Sequence, residues 1–390
     1  MIARIYKKTT NEVTVGDKIT EEFESDQGVR QGCALSAFLF DIMMDDLEME
    51  MIKRKVSGTV IEKTKIFCLK YADDAAVVAE DEKSLKQMIE LTIKWATENE
   101  MEINAKKTKI MVLRKGGKPK ETSLKLGENE LEVVKSFTCL GFYFTTGNSM
   151  AKQLEELAGK TVKATNSTWG LIRKEKKNRL KNRAYLMNSL VMSVPMYGVE
   201  VWGWFEVMRI ERAYSKMVKM TIGVERNTPR YVWRSEMRIK SCRYESRARA
   251  ITYLQDIVRM GEDRWPGICL REEMRGILNK NSTVWRRKVQ EVLREIGWEE
   301  VVRLIYENKE PEEINKRLEE GLMRMAKNKK EADNKAIRAS SYNAMYRDIV
   351  LDEEEEYYWM KEKRGSSYTE VWSRVRCGNL GRALKKGKNE

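Results

Sequence analysis

The chain contains no histidine, only five prolines, and six cysteines that stand singly. Without histidine, Ser-His-Asp and Cys-His triads are excluded, and so is a histidine general base. The cysteines, at 33, 68, 139, 242, 269 and 377, form no CxxC pair. That argues against a closed zinc site, so no zinc is expected in this chain, and against the disulfide framework of a secreted protein. So few prolines suit a mostly helical chain, in which Pro195, Pro229 and Pro266 mark boundaries. No long apolar run is present either. The most apolar window, Tyr185 to Phe205, is broken by Asn188, Pro195 and Glu200, and reads as a buried helix and its turn rather than a membrane span. No signal peptide opens the chain. The expectation is an intracellular protein, of the nucleus, the cytoplasm or both, not secreted and with no membrane partner.

What the chain has in abundance is charge. Of 390 residues, 34% are charged and 42% hydrophobic, the balance of a soluble globular protein large enough for two or three domains. Lys and Arg number 74 against 60 Asp and Glu, a formal charge of +14. That excess favours a polyanionic partner, most plainly nucleic acid, since each neutralised phosphate releases counterions. A merely basic surface is the plain alternative.

The first 148 residues alternate element types. Val29 to Ile52 carries apolar residues at 35, 38, 39, 42 and 47, a helical spacing after a Gly-containing loop. Lys65–Lys70 and Ala75–Ala79 read as two short strands, with the four residues between them as a bend. Asp81 is an N-cap candidate for a helix with Leu85, Met88, Ile89, Trp95 and Ala96 on one face. Lys109–Leu113 reads as a strand, GGK at 116–118 as a turn, Leu124–Val134 as a hairpin bent at Gly127–Asn129, and Phe137–Phe144 as a strand or a tight pair. From Ser149 onward helix formers dominate. The fold class expected is α+β: residues 1–148 an antiparallel sheet with packed helices, 149–259 a helical domain, and 260–390 a charged helical region. EEEE at 353–356 reads as a solvated face and KKGKNE at the end as a frayed tail.

The chemistry concentrates at Tyr71-Ala72-Asp73-Asp74. Two adjacent carboxylates at a hairpin bend suit Mg²⁺, or Mn²⁺ in its place, because Mg²⁺ is held by one or two carboxylates with substrate phosphates. By itself such a pair is more often a turn, and Asp45–Asp46, late in the first helix, is an example of surface acids. AGKTVKA at 158–164 is not a P-loop, since Leu154 stands where the first glycine is needed. In the helical part, IRKEKKNRLKNR at 172–183 is rich in cations, and Arg226, Arg230 and Arg234 are interleaved with Tyr231 and Trp233, a mix able to contact phosphates and stack on bases. A charged face over core aromatics is the competing reading. Tyr197, Trp202 and Trp204 read as packing residues.

YADD has company. GVRQGCALSAFLFDIMMDDLE at 28–48 precedes it, and NAKKTKIMV at 104–112 and FTCLGFYF at 137–144 follow. This ordered set resembles the reverse transcriptases of non-long-terminal-repeat retrotransposons. The resemblance extends through NRAYLMNSLVMSVPMYGVEVWGW (182–204), IGVERNTPRYVWRSEM (222–237) and RVRCGN (374–379). It implies an RNA-directed DNA polymerase with a partial polymerase palm, a helical thumb and a C-terminal helical region, taking an RNA template, a DNA primer and dNTPs. Asp73 and Asp74 match the catalytic metal-binding pair, and Tyr71 and Ala72 the residues beside primer end and nucleotide. Gly28, Arg30, Gln31 and Gly32 match the loop beneath template and nucleotide. Lys107 and Lys109 match the segment, begun by Asn104, whose lysine protonates leaving pyrophosphate; an exposed basic loop is the alternative. Cys139, Leu140 and Gly141 match the primer grip, though most relatives carry an aromatic residue in place of Cys139, and proline where Ala34 and Ala37 stand.

Two-metal polymerisation calls for a third acid, which in these enzymes precedes the GVRQGC-like loop. Before Gly28 stand Asp17, in a VGDK turn, and Asp26, and neither has the strand-to-helix setting. The expectation is a chain lacking the fingers and the first catalytic aspartate, ending before a zinc knuckle, with Cys377 left as an ordinary thiol. Such a chain is inactive alone. The alternative is a non-catalytic, nucleic-acid-binding remnant of a retroelement.

Overall fold

The computed structural model of the chain describes residues 10–24, 28–113, 123–174, 179–261, 263–342, 346–349 and 366–379. Asp26, the turn at 116–118, the acidic run at 353–356, the C-terminal tail and the centre of the basic run at 175–178 lie outside them. The architecture is α+β, rich in helix. Its strands are short and, among the described residues, form seven separate two-stranded ladders. Two compact units are present, Met1–Ile110 with Lys118–Val134, and Met111–Gly117 with Lys135–Glu390.

In the first unit β1 (Thr10–Asn11) pairs with β4 (Phe23–Glu24), and β2 (Thr14–Val15) with β3 (Lys18–Ile19). Asp17 sits in the turn between β2 and β3, beside Gly16 at φ 63°. Helix α1 (Ala34–Lys53) follows. Its buried residues are Ser36, Met44, Leu47 and Met51, so of the expected apolar set at 35, 38, 39, 42 and 47 only Leu47 is fully buried. Leu35, Phe38 and Ile42 are exposed. The helix is apolar nearly all round, and spacing alone therefore does not choose a face.

Lys65–Lys70 is not one strand. β5 (Thr59–Ile61) folds back on β6 (Thr64–Ile66), and after Phe67 the chain begins a second hairpin, β7 (Cys68–Tyr71) with β8 (Asp74–Val77). Helix α2 (Glu82–Glu98) starts where expected, with Asp81 accepting from the Ser84 amide. It buries Met88, Leu91, Trp95 and Ala96 against Met44, Leu47, Met51 and Phe67. β9 is shorter than the sequence suggested (Lys109–Ile110). β10 (Lys125–Leu126) and β11 (Asn129–Glu130) make the expected hairpin around Gly127, whereas β12 (Glu132–Val133) leaves it to pair with β9 in parallel.

The second unit opens with a hairpin, β13 (Ser136–Cys139) and β14 (Phe142–Thr145). Helices follow: α3 (Ala151–Lys174), α4 (Leu180–Val191), α5 (Val199–Trp202), α6 (Met208–Ile222), α7 (Arg230–Met237), α8 (Cys242–Arg259), α9 (Trp265–Leu278), α10 (Val284–Glu295), α11 (Val301–Tyr306), α12 (Pro311–Arg338), α13 (Tyr346–Ile349) and α14 (Ser366–Arg376). Phe142, Leu154, Leu157, Trp202, Ile210, Ile222 and Trp233 belong to one core. Leu254, Leu270, Leu293, Ile314 and Leu318 belong to another. No described helix is long and apolar enough to cross a membrane.

Two of the three downstream motifs meet, 222–237 and 374–379. From RVRCGN, Arg376 bonds the buried Glu236 at 2.7 Å, and Arg374 bonds the Gly223 carbonyl at 2.7 Å. Cys377 is fully buried and its thiol is pushed up by that burial. The interleaved run Arg226–Arg234 divides. Trp233 is buried in the core and Arg234 is locked to Asp333 through two hydrogen bonds of 2.6 and 3.1 Å. Arg226 and Arg230 stay exposed.

Candidate functional site

The acid pair lies at the tip of the β7–β8 hairpin. Tyr71 faces Asp74 in register, which leaves Ala72 and Asp73 as a two-residue turn, tighter than the four-residue bend expected. Ala72 takes φ 51°, a conformation that favours glycine and costs an L-residue about 1–2 kcal/mol. Strain of this kind collects at functional sites.

Side chains opposite one another in a ladder share a face. Asp74 therefore shares one with Tyr71, Leu69 and Ala76, and Lys70 shares the other with Cys68, Ala75 and Val77. The first face is open: Tyr71 is 67% exposed and Leu69 52%, and Asp73 and Asp74 are both exposed. The second packs inward, where burial pushes the Cys68 thiol up to about 11.

Lys70 fixes the hairpin to helix α1. Its Nζ lies 2.6 Å from Asp45 Oδ1, 3.7 Å from Glu48 Oε2 and 3.2 Å from the Met44 carbonyl. Burial works against its charge, but the Asp45 hydrogen bond and the acids around it prevail and raise its pKa above the ordinary lysine value. Asp45 thus serves the hairpin rather than being a mere surface acid. Sequence reasoning missed this pairing, and the clue was a lysine beside a buried cysteine in an otherwise apolar strand. With Lys70 committed to the helix side, the tip carboxylates have no ion-pair partner among the described residues.

Upstream, Gly28 at φ 78° and Gly32 at φ 82° bracket the loop that leads into α1. A Cβ would find open space at both, so backbone angle rather than crowding calls for glycine. The Arg30 carbonyl accepts from Ser36 Oγ at 2.6 Å and from the Cys33 amide at 3.3 Å, which holds the loop on the helix. Gln31 is exposed. Asn104 builds the turn before β9: its side chain accepts from the Lys107 amide at 3.1 Å and its carbonyl from the Thr108 amide at 3.0 Å. Of the two lysines, Lys109 is bound to Glu132 on the neighbouring strand at 2.9 Å, whereas Lys107 is exposed.

Residues 1–144 match the reverse transcriptase (RNA-dependent DNA polymerase) family model. The match supports a reverse transcriptase, and so RNA-directed DNA polymerase activity in general; that family implies nucleic-acid template and primer, dNTPs and, generally, a divalent metal. It spans the Gly28–Gly32 loop, the acid hairpin, Lys107, Lys109 and Cys139–Gly141.

Those last three residues lie in the second unit, at the tip of the β13–β14 hairpin. Leu140 at φ 48° and Gly141 at φ 75° form its two-residue turn, both left-handed as a type I′ turn requires. Tyr197, which the sequence reading took for a core residue like Trp202 and Trp204, donates its hydroxyl to the Leu140 carbonyl. It is half exposed, whereas the two tryptophans are buried. A Cβ on Gly141 would lie 3.3 Å from that hydroxyl.

The tip of the first hairpin fits a hard divalent cation. Two carboxylates with no cation beside them offer oxygen ligands, and water and phosphate oxygens complete the sphere of Mg²⁺. Among the described residues no cluster of three Asp, Glu or Cys forms. Asp17 lies in the β2–β3 turn, which is a different setting from a strand that feeds a helix.

Proposed function

We propose that this chain carries part of a non-long-terminal-repeat retrotransposon reverse transcriptase, with Asp73 and Asp74 as its metal-binding acids. The observation that supports this best is the hairpin itself, which presents two unpaired carboxylates at an open tip inside the stretch that matches the family. Mg²⁺ or Mn²⁺ bound there supplies the positive charge that in-line displacement needs at the primer hydroxyl and the leaving pyrophosphate. The other matched residues have separable tasks. Tyr71, on the same face as Asp74, borders the primer end and nucleotide. The Gly28–Gly32 loop, with Arg30 and Gln31, carries template and nucleotide, and its glycines let backbone approach them closely. Lys107 is better placed than Lys109 to give a proton to pyrophosphate, because Lys109 is already paired. Cys139–Gly141 grips the primer with Tyr197 behind the turn. The partial-palm and thumb assignments, and an intracellular place of action, go with this reading.

In this reading the two acids bind metal but do not complete a two-metal site by themselves, so the chain holds template and primer without extending the primer efficiently. The placement of Asp17 in a separate hairpin turn favours this form of the proposal. The test is primer extension on an RNA template with Mg²⁺ and dNTPs. Efficient extension by the chain alone, abolished in Asp73→Ala, would establish the polymerase and overturn its inactivity. Nucleic-acid binding without extension is the expected result. No binding and no extension would remove the reading altogether.

A further inference from the structure

Several cations on the second unit have acids beside them. Lys152 pairs with Glu156, Arg275 with Glu272, Lys288 with Glu291 and Arg317 with Glu313. One row differs. On α6, Arg212, Lys216 and Lys219 are spaced i, i+4, i+7 and therefore share a face. The opposite face of the helix, with Ile210, Tyr214, Met217 and Ile222, is buried. The row spans about 10 Å, the rise of about three phosphates along one strand of a duplex.

The row continues past the helix end. Gly223 caps α6 at φ 73°, and a short turn leads to Pro229 and into α7. Lys219 Nζ donates to the Arg226 carbonyl at 2.6 Å, which draws the turn back over the helix. Arg226, in that turn, and Arg230, the first residue of α7, are exposed. Burial, and then the charge of Arg230, push the Lys219 pKa down, so the two cations feel one another. Lys216 contacts the neutral Asn166 at 3.2 Å. Among the described residues no carboxylate pairs with Lys219, Arg226 or Arg230. Like charges left together are unfavourable until an anion joins them.

The turn is also held in shape. Asn379 Oδ1 accepts from the Glu225 amide at 3.0 Å and from Thr228 Oγ1 at 3.2 Å, and its Nδ2 reaches the Tyr342 hydroxyl at 2.9 Å. Arg374 ties the Gly223 carbonyl and Glu370, at 2.7 and 2.5 Å. A turn braced at both ends spends little entropy on binding.

We propose that Lys219, Arg226 and Arg230, with Arg212 and Lys216 leading to them, form a binding site for consecutive phosphates of a nucleic-acid backbone. The site takes its partner from the proposed function but lies wholly on the second unit. Contacts here are to backbone and carry no sequence preference.

The test is fluorescence anisotropy of the full chain with a labelled RNA–DNA hybrid and with single-stranded RNA, between 50 and 200 mM salt. The slope of log K against log salt should shrink by about 2–3 in the variant K219Q/R226Q/R230Q, near 0.9 per lost phosphate contact on duplex and 0.7 on single strand. R226Q/R230Q, altering exposed side chains only, should lose about two-thirds of that. K309Q/K316Q/K327Q removes the same charge elsewhere and should leave the slope unchanged. A larger slope change on the hybrid than on single strands identifies duplex as the partner, and the reverse identifies single strand. An unchanged slope in the triple variant, an equal loss in the control, competition by polyglutamate as strong as by RNA, or a wild-type chain that does not bind at 50 mM salt would each overturn the site. An unchanged slope with Mn²⁺ binding that depends on Asp73 and Asp74 would sink the site alone. A shifted slope with no metal-dependent property at Asp73 would sink the polymerase reading alone.

Discussion

The two hairpins the resemblance picked out have the same size and opposite support. Each has two four-residue strands and a two-residue turn, and each puts a non-glycine residue in the left-handed region, Ala72 in one and Leu140 in the other. The second is rooted: Phe142 sits in a helical core, and Tyr197 holds the strained Leu140 by its carbonyl. The first is fastened along its length by Lys70, while its tip stands free with two acids and an exposed tyrosine. A tip that grips gains from rigidity. Under the proposed function, the acid tip admits ion, primer and nucleotide and needs room around it. The difference teaches that the acid hairpin is left open by construction, since its anchoring charge is spent on α1 and none is directed at the carboxylates.

The largest test of this contrast compares truncations at the two roots. Phe142→Ala should cost about 3–5 kcal/mol, as for a buried aromatic, while Leu69→Ala, on the open face, should stay within about 0.5 kcal/mol. Urea unfolding measures both, and similar losses would erase the distinction. Next comes Tyr197→Phe, which removes a single hydrogen bond and should cost about 1 kcal/mol. It should weaken primer binding while leaving metal binding unchanged, and a metal effect would contradict the division of tasks.

Lys70 gives a pH test. Its folded pKa is raised, so its contribution is fully present below the ordinary lysine value and fades as pH rises through the raised one. The stability gap between wild type and Lys70→Gln should stay level through neutral pH at about 1 kcal/mol or less, because Asp45 is well exposed, and close in alkali. A gap that instead closed in mild acid would point to another anchor. The smallest effect is expected from Ala72→Gly. Relief of the left-handed strain outweighs the extra flexibility of glycine by about 0.5 kcal/mol. A loss of stability would mean that the turn is not strained.

Much of this was legible in the sequence, where side-chain chemistry is local. Asp81 capped its helix, Gly127 turned its hairpin and Phe137–Phe144 formed a tight pair as their residue types suggest. What was not legible depended on partners far along the chain. Lys70 finds Asp45 25 residues away, Tyr197 finds Leu140 57 residues away, and Asn379 finds Glu225 154 residues away. The inward face of α1 was hidden for another reason. With apolar residues on every side, only the position of α2 decides that Met44, Leu47 and Met51 turn in and Phe38 turns out. In the same way the interleaved Arg226–Arg234 run looked uniform, and only tertiary contacts divided Arg234 and Trp233 from the exposed Arg226 and Arg230.

The measurement that bears most directly on the acid hairpin is a Mn²⁺ titration of the full chain, followed by the electron paramagnetic resonance signal of the free ion. The account predicts binding by wild type that Mg²⁺ displaces and that is lost in Asp73→Asn/Asp74→Asn, with the folded state of the variant unchanged by circular dichroism. Equal Mn²⁺ binding by the two proteins, or none by wild type, would contradict it.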